Sequence, residues 1–384
     1  MNARAQPLPQ PLDAPLSGVD IHGRGPVSLA LALFLHRQGL PGDAIGLTIH
    51  DAALPAALAN RSIALSDGSW QLLGRICELP AAGLIRTVDI AIAGHGLHAS
   101  LDERDAAGRP LGHVVRYGDL LQCLREAADR LSLGKPANAA PIGTIGRLQV
   151  DAEGHSERGE TRDFDQSALL AELVPVPVAN ERRLLPGPGC ACEHFKPSGP
   201  IALLPLAQAP AVSLVWCDRP ARIEALAALD DGALGDALQS ALGPAYRRFE
   251  PRGRRHVAPL ARRRSAIVAG HDRVAIGNAA QSLHPVAGQG LNLGLRDAFV
   301  LAAVVGDGLA ARWPVARCVQ VQAARRRRDV ARTIMLTDRL ATLGDLLLGG
   351  PPGLGAPAAA ALALLEMATP LRRLATRQFV FGRR

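Results

Sequence analysis

Aromatic side chains make up only 3% of this 384-residue chain, and lysine is almost missing, with Lys135 and Lys196 its only two examples. The net charge of +8 therefore comes from arginines spread along the sequence. No run interleaves them with aromatics, and no zinc-ligand spacing or helix-turn-helix pattern accompanies them, which argues against nucleic-acid recognition. The densest run, Arg325 to Arg328, falls in a predicted helix, where four successive residues point around most of the circumference and read as a solvated or lipid-facing basic surface. Six cysteines show neither a disulfide framework nor metal-ligand spacing, so a cross-linked scaffold and a metal centre are not expected. The close pair Cys190 and Cys192 reads as two ordinary thiols in a loop or edge strand, and a reducing cytoplasm is expected. No apolar run reaches the roughly 18 residues of a membrane-spanning helix, and Met1 to Ser17 is Pro-rich without the apolar stretch of a signal peptide.

What remains is the composition of a globular protein, 48% hydrophobic and 20% charged. Its length calls for one large domain with an insertion or for two domains. The most informative stretch is Asp272 to Asp297, DRVAIGNAAQSLHPVAGQGLNLGLRD. Val274 to Ile276 read as the end of a buried strand, and Leu291, Leu293, Leu295, Phe299 and Leu301 begin an apolar helical pattern. Gly277, Gly288, Gly290 and Gly294 lie between or within them. Glycines at the entry to a helix let backbone approach a ligand, and the free N–H groups there favour an anion.

A second glycine-bearing turn lies near the start. Val19 to Ile21 reads as a strand, Gly23-Arg24-Gly25-Pro26-Val27-Ser28 turns into the apolar helix Leu29 to Arg37, and Ile45 to Ile49 forms a second strand ending at Asp51. This is a βαβ unit with an acidic residue placed to accept hydrogen bonds from a ribose. Ser28 takes the third position of the G-x-G-x-x-G pattern, where a small residue still permits close helix–strand packing. Two separate turns now point to one dinucleotide. Gly94-His-Gly96-Leu-His-Ala99 imitates such a turn, but the polar Ser100 to Gly108 follows it, so it reads as two strands and a turn of a sheet. Phe164 to Val178 and Glu193 to Cys217 also read as antiparallel strands, and the chain is helical from Ala316 onward.

GNAAQSLHPVAGQGLNLGLRD resembles the third FAD motif of the aromatic-ring hydroxylases of the para-hydroxybenzoate hydroxylase class, and most closely the ubiquinone-biosynthesis hydroxylases. Arg61-Ser-Ile-Ala-Leu-Ser66 and Glu193-His-Phe-Lys-Pro-Ser-Gly-Pro200-Ile-Ala-Leu-Leu-Pro205-Leu resemble further segments of that family, the first beside the flavin and the second in the floor of the substrate cavity. Asp151-Ala-Glu153-Gly154 resembles its Asp-Gly motif with Glu153 in place of the Asp, and Leu133 to Val150, in which Pro136, Asn138 and Pro141 look like loop, is shorter than the strands that flank the adenine in the family.

The resemblance implies an α/β fold: a doubly wound, Rossmann-like FAD domain with an inserted antiparallel substrate sheet and a helical C-terminus. The divisions expected are a tail at 1–17, FAD-binding parts at 18–75, 111–160 and 255–345, substrate-sheet parts at 76–110 and 161–254, and a helical segment at 346–384. It implies FAD contacts from Gly23, Gly25, Ser28, Asp51, Arg61, Gly277, Asn278, Pro285, Gly288, Gln289, Gly290, Leu291 and Asn292. In the family the position of Asn278 bonds the ribityl chain, and the loop matching Pro285 to Asn292 lies against the isoalloxazine ring. His284 is a candidate for proton transfer, although a histidine before a proline more often orients backbone.

The implied reaction is hydroxylation of a polyprenylated phenol in ubiquinone biosynthesis with O2 and NAD(P)H, through a C4a-hydroperoxyflavin. The enzyme would work in the cytoplasm or peripherally on the inner face of the membrane, where sister enzymes of the pathway are candidate partners. Two alternatives stay open, a related hydroxylase of a small soluble aromatic and a degenerate homologue that binds FAD weakly and serves as a scaffold.

Overall fold

The computed structural model describes residues 14–48, 54–93, 97–133, 146–152, 159–177, 185–265, 271–284 and 286–341, together with Arg373 and Thr376. The strand Gly18–His22 (β1) runs into Pro26–Arg37 (α1), and Ile45–Thr48 (β2) pairs parallel with β1. Pro26 opens α1 at a position where the missing N–H costs nothing, and every residue from Pro26 to Leu35 is buried. A helix buried on all sides belongs at the centre of a domain.

The chain continues through Ala56–Ala59 (α2), Ser62–Ser66 (β3), Asp67–Leu73 (α3), Gly83–Ile85 (β4), Thr87–Ile92 (β5), Leu97–Asp102 (β6), Gly112–Arg116 (β7) and Tyr117–Arg130 (α4). Ser66 ends β3 and caps α3 by accepting the Ser69 N–H. Arg147–Asp151 (β8) returns to the first sheet, while Pro136, Asn138 and Pro141 lie outside the described residues. β8 forms between β1 and Arg273–Ala275 (β14), where Leu148 and Val150 become wholly buried. The other strands are Gly159–Pro175 (β9), Cys190–Lys196 (β10), Gly199–Pro205 (β11), Val212–Asp218 (β12), Phe249–Ser265 (β13) and Gln281–Ser282 (β15). The helices Pro220–Ala227 (α5) and Asp231–Leu242 (α6) precede β13, and Gln289–Ala310 (α7) and Val315–Ala341 (α8) close the described chain.

Among the described residues these strands form three sheets. β14-β8-β1-β2 is all parallel, and its strands share one apolar core with α1, α4 and α7. β15-β13-β9-β12-β11-β10-β5-β6 is antiparallel except where β10 meets β5, and β3-β7-β4 is a small antiparallel sheet. The α/β architecture anticipated from the sequence, a doubly wound parallel sheet with an inserted antiparallel sheet and helices at the C-terminal side, is the one observed. No helix among the described residues is long and apolar enough to cross a membrane.

The pleat of the eight-stranded sheet separates two environments. Leu169, Leu173, Cys192, Ile201, Leu203, Leu214 and Trp216 face one core with α5 and α6. Their sequence neighbours Ala168, Leu170, Ala191, Ala202, Leu204 and Val215 face a cavity on the other side. Cys190 and Cys192 are accordingly not in a loop or edge strand. They lie in an interior strand between β11 and β5, buried, with sulfurs 3.9 Å apart. Two flanking strands satisfy their backbone, which a single-strand reading of Pro- and Gly-punctuated sequence does not reveal.

Candidate active site

The cavity measures about 1660 Å³ and runs from the head of α1 to the floor of the eight-stranded sheet. At its first end two helix N-termini converge. Gly25 caps α1 and Gly288 caps α7, and neither cap residue bonds its helix through a side chain, so both helices turn the positive end of their dipole to this end of the cavity. Gly288 sits in the left-handed region at φ +59°, and a Cβ there would come 3.1 Å from that of Ala64. At Gly290 an added Cβ would meet nothing within 4 Å, because that face of α7 opens on the cavity. Gly277, also at φ +59°, and Gly294 let the motif approach α1: a Cβ on Gly294 would stand 2.8 Å from Val27 Cγ2 and 3.1 Å from Gly277 Cα. The parts fit a flat, phosphate-bearing cofactor such as FAD, with backbone donors at two helix heads and glycines where side chains would block approach.

The residues expected from the sequence separate into three groups. Gly25, Arg61, Gly277, Asn278, Gly288, Gln289, Gly290, Leu291 and Asn292 line this cavity, brought together from segments more than 200 residues apart. Arg61 is exposed toward it, and loss of solvation lowers its pKa against a smaller opposing influence of Tyr117. Gly23 and Ser28 are buried and do not line the cavity. Ser28 is fully buried, and its hydroxyl donates to the Gly25 carbonyl at 2.8 Å, so its side chain faces the helix it opens and not the cavity. Asp51, Pro285 and Glu153 lie outside the described residues, as do Gly94 to Gly96 and most of 133–150.

Asn292 lines the cavity but its side chain is committed to the protein. Its Oδ1 accepts the Ser66 N–H at 2.9 Å, and its Nδ2 donates to the carbonyls of Ala64 at 3.0 Å and Gly288 at 2.8 Å. It clamps the head of α7 to β3. His284 is likewise engaged on both sides. Its Nδ1 accepts the Val286 N–H at 3.2 Å, which leaves the proton on Nε2 to be donated to Gln166 Oε1 at 3.0 Å. Gln166 in turn donates to the Ser198 carbonyl at 3.1 Å, so the loop before α7 is tied through His284 to the turn between β10 and β11. Neither ring nitrogen has a lone pair free for substrate, and the orienting role is the one this geometry serves.

Burial pushes the His284 pKa down to about 4. An unfolded histidine titrates near 6.5, so between those values the unfolded chain binds the proton more readily. The stability His284 confers is complete above about pH 6.5 and is lost as pH falls toward 4, amounting to about 2 kcal/mol by pH 5. Urea unfolding at pH 7 and pH 5 is expected to show that fall, and His284→Gln to shrink it. His194, also pushed down to about 4 by burial and then by Lys196, leaves a residual dependence of the same sign. An unchanged pH dependence in His284→Gln would mean that the ring is not neutral and buried in solution.

One feature of the site escaped sequence reading. Arg326, one of the four consecutive arginines, is buried and donates to Asp297 Oδ1 at 2.6 Å and to Asp329 Oδ2 at 2.6 Å, while Arg296 donates to Asp329 at 2.9 Å. Asp297 Oδ2 accepts the Gly277 N–H and the Gln281 amide, each at 3.3 Å. Burial works against the Arg326 cation, but the two carboxylates outweigh it and hold its pKa above the ordinary value. A buried network thus anchors the glycine turn to α7 and α8. Its only sequence signal was the charge of Arg296 and Asp297 inside an otherwise apolar helical pattern.

No family model matches the chain. The ubiquinone hydroxylase UbiL of Rhodospirillum rubrum is 30% identical over 324 residues, 75% of this chain and 72% of that protein. The 3-demethoxyubiquinol 3-hydroxylase of Escherichia coli is 38% identical over 120 residues, 29% of this chain and 28% of that protein. Among solved structures, p-nitrophenol 4-monooxygenase PnpA of Pseudomonas putida shares the fold with a TM-score of 0.68 at 15% identity, over 97% of this chain and 100% of that one. HpxO of Klebsiella pneumoniae, solved with FAD and uric acid, does so with a TM-score of 0.65 at 18% identity, over 95% and 97%. The match to UbiL over most of both chains, on a fold whose glycine turns leave room for a dinucleotide, makes this protein a member of the ubiquinone-biosynthesis hydroxylase family.

Proposed function

We propose that the enzyme hydroxylates a polyprenylated phenol of ubiquinone biosynthesis, using O2 and NAD(P)H. The observation that carries this reading is the continuity of the cavity: the glycine cradle and the apolar sheet floor are two ends of one space of about 1660 Å³. A pocket for one small ligand holds roughly 300–1,000 Å³, so this one has room for a cofactor and a second occupant side by side. When bound, the flavin supplies the chemistry that activates O2 with electrons from the nicotinamide.

The chain's own groups supply geometry and dryness. The backbone N–H groups at the head of α7 would stabilise negative charge on a flavin bound there, with Gly288 and Asn292 holding that helix head in place. Arg61 and Asn278 line the wall on the cofactor side. Val88, Ile90, Leu101, Phe195 and Leu204 give the far end an apolar lining that excludes water from the reacting ring. On the α8 side the lining ends in Met335, Leu336 and Leu340, of which Met335 is 47% and Leu336 43% exposed. That path favours a substrate with a long apolar tail over a small soluble aromatic. The same exposed pair lies between the exposed Arg332 and Arg339, a surface suited to peripheral contact with the membrane that would hold such a substrate.

The purified protein is expected to be yellow and to quench flavin fluorescence on titration with FAD. NADH or NADPH oxidation should then rise on adding a prenylated phenol, with a hydroxylated product, and more than with the unprenylated ring. Absence of binding at saturating FAD would remove the catalytic reading in favour of a scaffold. Equal turnover of prenylated and bare rings would favour a small-aromatic hydroxylase.

A further inference from the structure

Where β5, β10 and β11 meet, the cavity floor holds Glu193 among apolar side chains. On β10 the pleat turns Ala191, Glu193 and Phe195 toward the cavity. In register, Glu193 stands opposite Ile90 on β5 and Ala202 on β11, both of which also line the cavity. Its neighbours along and across the sheet are therefore all apolar. Among the described lining residues the only other acid is Asp163, which is exposed and accepts the Asp165 N–H at 2.9 Å. The influence of Glu193 reaches across the floor to Cys217 on β12, whose thiol is pushed up first by burial and next by this carboxylate.

A carboxylate set into an apolar wall is costly unless donors meet it. Ionised, it only accepts hydrogen bonds and offers about four acceptor sites, so contacts within the protein leave capacity for a ligand. A phenol brings one O–H donor on an otherwise apolar ring, and a hydrogen bond to a charged acceptor is shorter and stronger than a neutral one. Such a bond also leaves more electron density on the phenolic oxygen, and hence on the ring carbons ortho and para to it.

We propose that Glu193 accepts the hydrogen bond of the substrate's phenolic hydroxyl at the sheet floor and so selects which ring carbon faces the flavin. This rests on the phenol-hydroxylase reading above and deepens it by naming a specificity-determining residue. The hydroxyl is held at β10, the ring lies on the apolar floor, and the tail runs toward α8.

The test compares the FAD-loaded full-length chain with Glu193→Leu and Glu193→Gln, using a short-chain prenylated phenol and its methyl ether as probes. Binding is read from the change in flavin absorbance, and products are separated by ring position. The wild type is expected to bind the phenol roughly 10- to 150-fold more tightly than the ether, the range set by one hydrogen bond to a charged group. Glu193→Leu should reduce that ratio to about twofold or less and spread hydroxylation over more than one carbon; Glu193→Gln, which keeps an acceptor without the charge, should fall between. A merely structural role would lower affinity for both probes together. Variants that keep wild-type FAD affinity together with the wild-type phenol-to-ether ratio and a single product would overturn the assignment. If the leucine variant does not fold, the glutamine variant carries the comparison. Wild type that binds FAD but neither binds nor hydroxylates the phenol would sink the phenol-hydroxylase reading, and this inference with it, a pattern distinct from retained discrimination in the variants.

Discussion

Replacing Arg326 by leucine is expected to destabilise the protein by about 3–5 kcal/mol, because it leaves a buried carboxylate without its cation. Arg326 and Asp297 are both buried, and their side chains meet at 2.6 Å. Asp329 keeps Arg296 at 2.9 Å after the change, whereas Asp297 keeps the hydrogen bonds of the Gly277 N–H and the Gln281 amide, each at 3.3 Å, and only the weaker, more distant influence of Arg296. Those two contacts are long, and neither carries charge. Urea denaturation at pH 7 measures the loss, and the double variant with Asp297→Leu should recover part of it, since removing both charges leaves no unpaired one in the core. A single-variant loss under about 1 kcal/mol would show that solvent reaches Asp297. The glycine turn is tethered to the same carboxylate, so FAD affinity is expected to fall alongside stability.

Gly288→Val should have the largest effect on the cofactor. An L-residue in the left-handed region costs roughly 1–2 kcal/mol, and filling a tight contact costs roughly 1–3 more. Here the contact is with Ala64, whose Cβ would lie 3.1 Å and whose carbonyl oxygen 3.5 Å from the new Cβ. Ala64 cannot retreat easily, because its carbonyl accepts from Asn292 at 3.0 Å and its strand pairs with β7. The head of α7 must therefore move, carrying its N–H groups away from the cavity. FAD titration should show affinity reduced at least about tenfold, the equivalent of 1.4 kcal/mol. Gly288→Asn, whose side chain tolerates this backbone region, should lie between wild type and valine. Wild-type FAD affinity in a folded Gly288→Val protein would mean that the cofactor does not use this helix head.

The two glycine turns were legible because each is local. Strand, turn and apolar helix follow one another within about thirty residues, and a period of two giving way to one near 3.6 marks the boundary without knowledge of anything distant. The same holds for the strands of the large sheet, whose alternation announces one face to a core and one to something else. By contrast, nothing near Asn292 in sequence indicates that its amide serves Ser66 and Ala64, and nothing near His284 points to Gln166. Those bonds join residues 226, 228 and 118 positions apart, and they turned two expected site side chains into supports for backbone. Arg326 shows the same limit, since four consecutive arginines read alike until α7 lies beside α8 and buries one of them.

By itself the sequence determined the α/β class, the place of the cradle and its glycines, because backbone conformation and hydrophobic period are properties of short segments. Only the tertiary structure decided which polar side chains face the cavity and which face backbone, where Cys190 and Cys192 sit, and that Glu193 lies on an apolar floor. Those outcomes depend on strand order and register, which bring distant segments together and settle the burial of each side chain.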